Sequence, residues 1–140
     1  SGTFMCFHGT RTVNVSGILR ESLRLPRQLV GVVITGSMFG PGLYWADDWK
    51  KSAGYTSLQG SYWSAGSGGV SGRSAFMFVA DVALGKPYVA PSSGGYTKPP
   101  KGYHCVLGKA GLSVQNNEFV TYDSSSNRLR YLVEFDQGRR

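Results

Sequence analysis

The sequence predicts an α+β domain in which short, mostly antiparallel strands outnumber two short helices. Glycine accounts for 20 of the 140 residues, and frequent glycine is typical of chains built from turns and short strands. Residues 128–135 alternate apolar and polar side chains with the period of two that a strand requires. The length suits one modest core and no internal repeat is found, so residues 1–140 are predicted to form a single domain.

The N-terminal part of the chain is predicted to contain two strands and one helix. The apolar and aromatic run 3–9 is expected to be a buried strand that ends in a turn at Gly9. Asn14 can cap a short helix over residues 15–23, and the β-branched run 29–36 predicts a second strand. The helix residues expected to face the core are Ile18, Leu19 and Leu23.

The stretch GPGLYWADDWKKSAGY, residues 40–55, predicts a tight turn, a brief strand and a helix in direct succession. Asp47 is expected to cap this helix, and Trp49 is expected to face the core. The spacing of three residues places Ser52 and Tyr55 on one side of the helix.

The remaining chain is predicted to be mainly β-structure interrupted by two polar loops. The loops are residues 57–74, rich in serine and glycine, and residues 91–102. Residues 75–84 are apolar on both faces, as a central strand should be. Further strands are predicted within residues 85–90, 117–123 and 128–135. The alternation of the last strand predicts one apolar face made by Leu129, Tyr131, Val133 and Phe135.

The net charge of +7 favours polyanionic partners, namely nucleic acid, a phosphorylated ligand or an acidic protein, although a basic balance also serves solubility alone. The arginines that motivate a nucleic-acid partner are Arg20, Arg24, Arg27, Arg128, Arg130, Arg139 and Arg140. No apolar run is long enough to cross a membrane and no signal-peptide pattern opens the chain, so no membrane partner is predicted. Cys6 and Cys105 lack metal-ligand spacing and are expected to be buried thiols.

Two positions are candidate functional sites from the residue pattern. His8 stands beside Gly9 at a strand end, where a side chain and a bare backbone can face a ligand; a structural histidine is the alternative. Glu118 opens an apolar strand, and its alternative is a carboxylate that faces water. Cys6 and His8 have the spacing of a nucleophile pair, but the apolar run around Cys6 predicts an inert thiol.

Six motifs occur in a specific order along the chain: FHGT, NVSGIL, TGSMFGPGLYWADDWKKSAGY, ADVALGKPYV, PPKGYHCVLGK and NEFVTYD. Together they resemble the catalytic domain of the poly(ADP-ribose) polymerase-like ADP-ribosyltransferases, in the group with a His-Tyr-Glu triad. The resemblance covers nearly the whole chain and implies the ADP-ribosyltransferase fold, with two packed, mostly antiparallel sheets and short flanking helices. It implies a pentosyl-type glycosyltransferase that moves ADP-ribose from NAD⁺ to a macromolecular acceptor, releases nicotinamide and needs no metal.

The resemblance also assigns roles to individual residues. It implies a catalytic triad of His8, which would bind the adenosine ribose, Tyr44, which would lie beneath the nicotinamide ring, and the catalytic Glu118. The other residues that it places around NAD⁺ are Gly9, Thr10, Asn14, Arg24, Lys51, Ser52 and Tyr55.

Among those residues, the Gly9 backbone and the Ser52 hydroxyl would hold the nicotinamide carboxamide, and Tyr55 would stack on the ring. Lys51 would lie near Glu118. The transferases that instead use an Arg-Ser-Glu set carry an E-x-E loop, whereas Asn116 stands at the first of those positions here.

Several questions stay open at this point. The short Lys109–Glu118 segment favours single ADP-ribose transfer over chain elongation, and the acceptor can be protein, RNA or DNA. A toxin domain is one hypothesis: it would be secreted within a larger polypeptide, act in the cytoplasm of a target cell and be restrained by an immunity protein. A catalytically silent NAD or ADP-ribose binding module is the alternative, against which the presence of both His8 and Glu118 argues.

Overall fold

The computed structural model describes residues 2–10, 15–23, 25, 38–49, 74–112, 114 and 116–136. Their regular elements are β1 (Thr3–Thr10), α1 (Val15–Glu21), β2 (Leu43–Ala46), β3 (Ser74–Ala83), β4 (Pro87–Val89), β5 (Cys105–Gly108), β6 (Glu118–Thr121), a 3₁₀ turn (Ser124–Ser126) and β7 (Asn127–Asp136). The predicted strand 29–36, residues 57–73 of the predicted loop 57–74 and most of the predicted helix up to Tyr55 lie outside the described residues, and Ser74 begins β3.

The seven strands form one hydrogen-bonded sheet in the order β4-β5-β6-β2-β1-β3-β7. Neighbouring strands are antiparallel except for β4 and β5, which are parallel. β3 lies between β1 and β7, which agrees with its predicted interior position. The α+β class is therefore confirmed, whereas the described residues give one sheet and do not confirm the two packed sheets that were predicted.

Two apolar clusters lie on opposite faces of the sheet, because neighbouring residues of one strand belong to different clusters. Cys105 belongs to the first cluster and Val106 to the second. The buried members of the first are Cys6, Leu23, Leu25, Leu43, Trp45, Ala80, Val82, Leu84 and Cys105. Those of the second are Phe39, Ala90, Val106, Val120 and Tyr122. Both cysteines are free and buried, as predicted.

Several side chains predicted to be buried are exposed. Strand β1 and helix α1 form as predicted, but Phe4, Met5 and Leu19 are 53%, 60% and 60% exposed. β1 pairs with β2 at Phe7 alone, so β2 does not extend beside Phe4 and Met5. This explains part of the exposure of these two side chains. Trp49, predicted to face the core, is 53% exposed.

Strand β7 contains a β-bulge that changes its predicted pattern. Val79 of β3 pairs with Tyr131, whereas its neighbour Ala80 pairs with Leu129, so Arg130 has no register partner. The extra residue turns Leu129 to the face opposite Tyr131, and Leu129 packs against the first core cluster. The prediction of one continuous apolar face from Leu129 to Phe135 is therefore wrong.

No helix within the described residues is both long enough and apolar enough to cross a membrane.

Candidate active site

One row of register partners crosses four strands of the sheet, and three of these strands carry the triad residues of the predicted site. Phe7 pairs with Ala46, Ala46 pairs with Glu118, and Glu118 pairs with Gly108. His8 follows Phe7 directly. Two strand spacings separate Phe7 from Glu118, a backbone distance of about 10 Å. Tyr44 lies on β2, between the strands that carry His8 and Glu118.

Glu118 is a buried carboxylate, with only 4% of its surface exposed. It is the first residue of β6, and its negative charge contributes to raising the pKa of the Tyr44 phenol. The alternative of a carboxylate that faces water is therefore wrong. Buried acidic residues are uncommon in proteins and concentrate at functional sites, because burial without a compensating interaction is costly.

The imidazole of His8 is held by the backbone of the neighbouring strand. Its Nδ1–H donates a hydrogen bond to the Tyr44 carbonyl oxygen at 3.0 Å, and its ring centroid lies 5.5 Å from that of Trp45. A carbonyl can only accept, so the proton of a neutral ring sits on Nδ1 and Nε2 keeps its lone pair. Burial lowers the pKa of His8 while the hydrogen bond to Tyr44 opposes that shift, so the ring is neutral at pH 7.

The phenol of Tyr44 is tied to the turn that precedes β2. Its hydroxyl donates to the Gly40 carbonyl at 2.7 Å and accepts from the Phe39 N–H at 2.9 Å. Burial, followed by the nearby charge of Glu118, raises the pKa of Tyr44 to about 12 against the opposing Phe39 hydrogen bond. The phenol is therefore neutral at physiological pH and cannot act there as a base.

Asn117 supports the position of Glu118, a role that was not predicted from the sequence. Its side-chain N–H donates to the Asp47 carboxylate at 3.1 Å, and its carbonyl oxygen accepts from the Ala110 N–H at 2.9 Å. These bonds join the ends of β2, β5 and β6 beside the carboxylate. The asparagine directly before the glutamate was the available sequence signal. Asp47 was predicted only as a helix cap, and the structure shows its carboxylate accepting from Asn117.

The remaining predicted NAD⁺ residues divide into two groups. Gly9 and Thr10 end strand β1, where their register partners are Met77 and Phe76 on β3. The positions outside the described residues are Asn14, Arg24, Lys51, Ser52 and Tyr55. The structure thus places the triad and Gly9 on three adjacent strands. By strand alternation Glu118 shares a face of the sheet with Tyr44, whereas the His8 ring contacts Trp45, a member of the first core cluster on the opposite face. The other ring-binding contacts stay predictions.

A cavity of about 400 Å³ opens elsewhere on the sheet and does not include the triad. It is lined by Phe4, Met5, Cys6, Asp47, Leu84, Gly85, Pro87, Leu107 and Phe119. Burial raises the pKa of the Cys6 thiol to about 12, with smaller contributions from Asp47 and Cys105. Cys6 is consequently a poor nucleophile, which agrees with the prediction of an inert thiol.

The described residues hold no group of three or more histidine, cysteine, aspartate or glutamate side chains arranged for a metal ion.

Comparison with protein families identifies the domain type to which this arrangement is similar. The family model for the poly(ADP-ribose) polymerase catalytic domain matches residues 3–113. The match includes the strands that carry His8 and Tyr44 and stops short of Glu118.

Individual relatives extend the similarity over Glu118. Poly [ADP-ribose] polymerase 1 of Xenopus laevis is 31% identical over 93% of this chain, an alignment too long to end before Glu118. Protein mono-ADP-ribosyltransferase PARP3 of Gallus gallus is 28% identical over 93% of the chain. The putative poly [ADP-ribose] polymerase-like 100L of Invertebrate iridescent virus 6 is 25% identical over 94%.

The relatives differ in how much of their own length the chain spans. It covers 15% of the frog protein, 28% of the chicken protein and 70% of the viral protein.

Proposed function

The chain belongs to the family of poly(ADP-ribose) polymerase catalytic domains, and from that membership we propose that residues 1–140 act as one domain that transfers ADP-ribose from NAD⁺ to a macromolecular acceptor and releases nicotinamide. The observation that carries the proposal is the burial of Glu118, 4% exposed, in the row of register partners that also contains Phe7, the residue before His8.

The proposed chemistry explains why a buried carboxylate stands in this position. Breaking the bond between nicotinamide and ribose builds positive charge on the sugar ring, as in glycoside hydrolysis. A hydrogen bond between the Glu118 carboxylate and a ribose hydroxyl strengthens as that charge grows. The carboxylate therefore binds the transition state better than the substrate. Because the carboxylate is largely removed from water, this electrostatic effect is stronger than it would be at the surface.

His8 and Tyr44 are proposed to bind NAD⁺ rather than to transfer protons. The lone pair on Nε2 of the neutral His8 is suited to accept a hydrogen bond from a ribose hydroxyl, and the hydrogen bond to Tyr44 fixes the orientation of the ring. Tyr44 presents an aromatic ring anchored at its hydroxyl, and such a face suits the cationic nicotinamide ring. Ser52 and Tyr55 are proposed to complete the nicotinamide site.

The test compares the wild-type protein with Glu118→Gln, using labelled NAD⁺ and measuring nicotinamide release and label transfer. Glutamine keeps the size and loses the charge, and we expect turnover to fall by about 10² to 10³, as for removal of one preorganised transition-state group. Glu134→Gln on β7 is the matched control, because Glu134 is exposed and distant in the sheet order; it should retain full turnover. Equal turnover by wild type and Glu118→Gln would refute the proposal.

We further propose that one ADP-ribose is added per site. Support comes from the compact connection between β5 and β6, which is folded by hydrogen bonds from the Gly111 N–H to the Val114 carbonyl and from the Leu112 N–H to the Lys109 carbonyl. Intact mass measurement of the labelled acceptor distinguishes one added unit from a ladder of units.

Two further hypotheses stay predictions, and the same protein pair tests them. A silent binding module would bind NAD⁺ tightly and release no nicotinamide, in wild type as in Glu118→Gln. A toxin domain, with its immunity protein, would make wild type harmful to cells that tolerate Glu118→Gln.

A further inference from the structure

The stretch between Asp81 and Glu118 contains no acidic residue and carries Lys86, Lys98, Lys101 and Lys109. It also contains three of the eight tyrosines, Tyr88, Tyr96 and Tyr103. The stretch includes β4, which forms one edge of the sheet, and the polar loop 91–102 that follows it. This edge therefore has a local positive charge with aromatic side chains beside it.

The three tyrosines form a contiguous group, which we call the tyrosine patch together with Lys86. The Tyr88 ring lies edge-on to Tyr103 at 5.2 Å and tilted toward Tyr96 at 6.1 Å between centroids. The Lys86 ammonium lies 5.0 Å from the centre of the Tyr103 ring, within reach of a cation–π contact. All three rings are half-buried, and Lys86, Lys98 and Lys101 are exposed.

Backbone contacts hold the tyrosine patch in place. The Gly94 N–H donates to the Met38 carbonyl at 2.8 Å. The His104 N–H donates to the Lys86 carbonyl at 2.8 Å, and the Lys86 N–H returns a bond to the His104 ring at 2.9 Å. Little ordering would accompany binding, since the rings are already fixed by the fold.

The tyrosine patch lies on the same face of the sheet as Glu118. Tyr88 pairs with Val106, which pairs with Val120, and all three belong to the second core cluster or pack on it. Glu118 precedes Val120 by two residues and therefore shares its face. The backbone positions of Tyr88 and Glu118 are about 10 Å apart across the strands and about 7 Å along them.

We propose that the tyrosine patch, with Lys98 and Lys101, binds single-stranded nucleic acid. Lysines in a segment that contains no acidic residue attract phosphates, and tyrosine rings contact unstacked bases. This is the combination by which single strands are bound without sequence preference. A double helix keeps its base faces inside the stack, and an acidic peptide would use the lysines alone. Binding by itself goes beyond the proposed transfer reaction; that the bound strand is the acceptor rests on it.

The experiment measures binding of a fluorescent oligothymidylate to the full chain by anisotropy over a series of salt concentrations. We expect Lys98→Gln/Lys101→Gln to weaken binding about tenfold and to reduce the salt slope by about 1.4, the release expected for two phosphate contacts of a single strand. Tyr103→Leu should weaken binding about fivefold or more at an unchanged slope. Thermal unfolding of each variant checks that the fold is retained.

The matched control is Arg20→Gln/Arg128→Gln, which removes the same charge from α1 and β7. It should bind within about twofold of wild type if the site is local, since loss of distant exposed charges is largely screened. Equal weakening by both double variants would mean that overall charge alone drives binding, and would overturn the proposal. Equally tight binding of polyglutamate would indicate an acidic protein partner instead and would also overturn it.

The two proposals fail separately. Glu118→Gln should bind the oligonucleotide like wild type while losing transfer. Transfer by a wild-type protein that does not bind the oligonucleotide would refute the tyrosine patch and leave the proposed function intact.

Discussion

The Tyr44 hydroxyl makes two hydrogen bonds to the backbone of the turn before β2, to Gly40 and to Phe39. Tyr44→Phe leaves a partly buried carbonyl and N–H without that partner, and we expect it to lower the free energy of unfolding by about 1 to 3 kcal/mol. Urea unfolding measures the change. Tyr131→Phe is the control: its side chain is 62% exposed, and a change within about 0.5 kcal/mol is expected. Similar losses in both variants would contradict the anchoring role of the Tyr44 hydroxyl.

His8 should make stability depend on pH in the weakly acidic range. Burial lowers its pKa in the folded protein below the value of about 6.5 of the unfolded chain, so the unfolded state binds the proton more readily. The His8 contribution is therefore complete above about pH 6.5 and is lost as the pH falls below it. Between pH 7.5 and 5, the free energy of unfolding measured in urea should fall more steeply for wild type than for His8→Gln. Parallel curves would exclude this role.

At the scale of elements, the turn before β2 requires glycine at position 40. Gly40 has a φ of +84°, and a Cβ there would collide with the Tyr96 carbonyl oxygen. Gly40→Ala should lower the free energy of unfolding by more than about 2 kcal/mol, since backbone strain and a clash add. The measurement is chemical unfolding.

Two other glycines provide graded controls for this substitution. Gly111 has a φ of +89° but open space around its Cβ position, so Gly111→Ala should cost about 1 to 2 kcal/mol from backbone strain alone. Gly17 lies in α1 with open space, and Gly17→Ala should stabilise by about 0.5 to 1 kcal/mol. The free energy of unfolding should fall most in Gly40→Ala, less in Gly111→Ala, and rise in Gly17→Ala. A different order would contradict the contribution of the Tyr96 contact.

The sequence identified elements better than it identified their environments. Period-two alternation and apolar runs placed β1, β3, β6 and β7, because strand formation depends on local pattern. The pattern could not reveal that β1 meets β2 at one residue, which is a property of long-range pairing. It also could not reveal the bulge at Arg130, which depends on the partner strand.

At the scale of the whole molecule, the first core cluster protects both thiols. Burial raises the pKa of Cys6 to about 12 and that of Cys105 to about 11, so neither forms a thiolate at pH 8 in the folded state. We expect iodoacetamide to modify neither cysteine in native buffer and both of them together once urea unfolds the chain. Rapid labelling of one cysteine under native conditions would show that this cluster opens locally.

The raised pKa values of Cys6 and Cys105 make the stability of the protein fall at alkaline pH. Thiols of the unfolded chain ionise near pH 8.5, whereas the buried thiols stay protonated, so the stability they contribute is complete below that pH and declines above it.

The roles proposed for the site residues follow from the resemblance, and the structure adds how the strands that carry them are paired. His8 and Glu118 are 110 positions apart in the chain, and only strand pairing through Ala46 relates them. The contact of Asn117 with Asp47 likewise depends on two strands ending side by side. The sequence predicts which residues form the candidate site, but their relative positions depend on strand pairing that the sequence does not show.

The place of Glu118 at the first rung of β6 bears on how this domain can vary. The position of Glu118 is fixed by its register partners, Ala46 on β2 and Gly108 on β5. It does not depend on the length of the connection that leads into β6. Insertions or deletions between Ala110 and Asn117 can therefore lengthen or shorten that connection while the carboxylate stays where it is. Connections of different lengths at this hairpin tip are therefore compatible with one fixed position of the carboxylate.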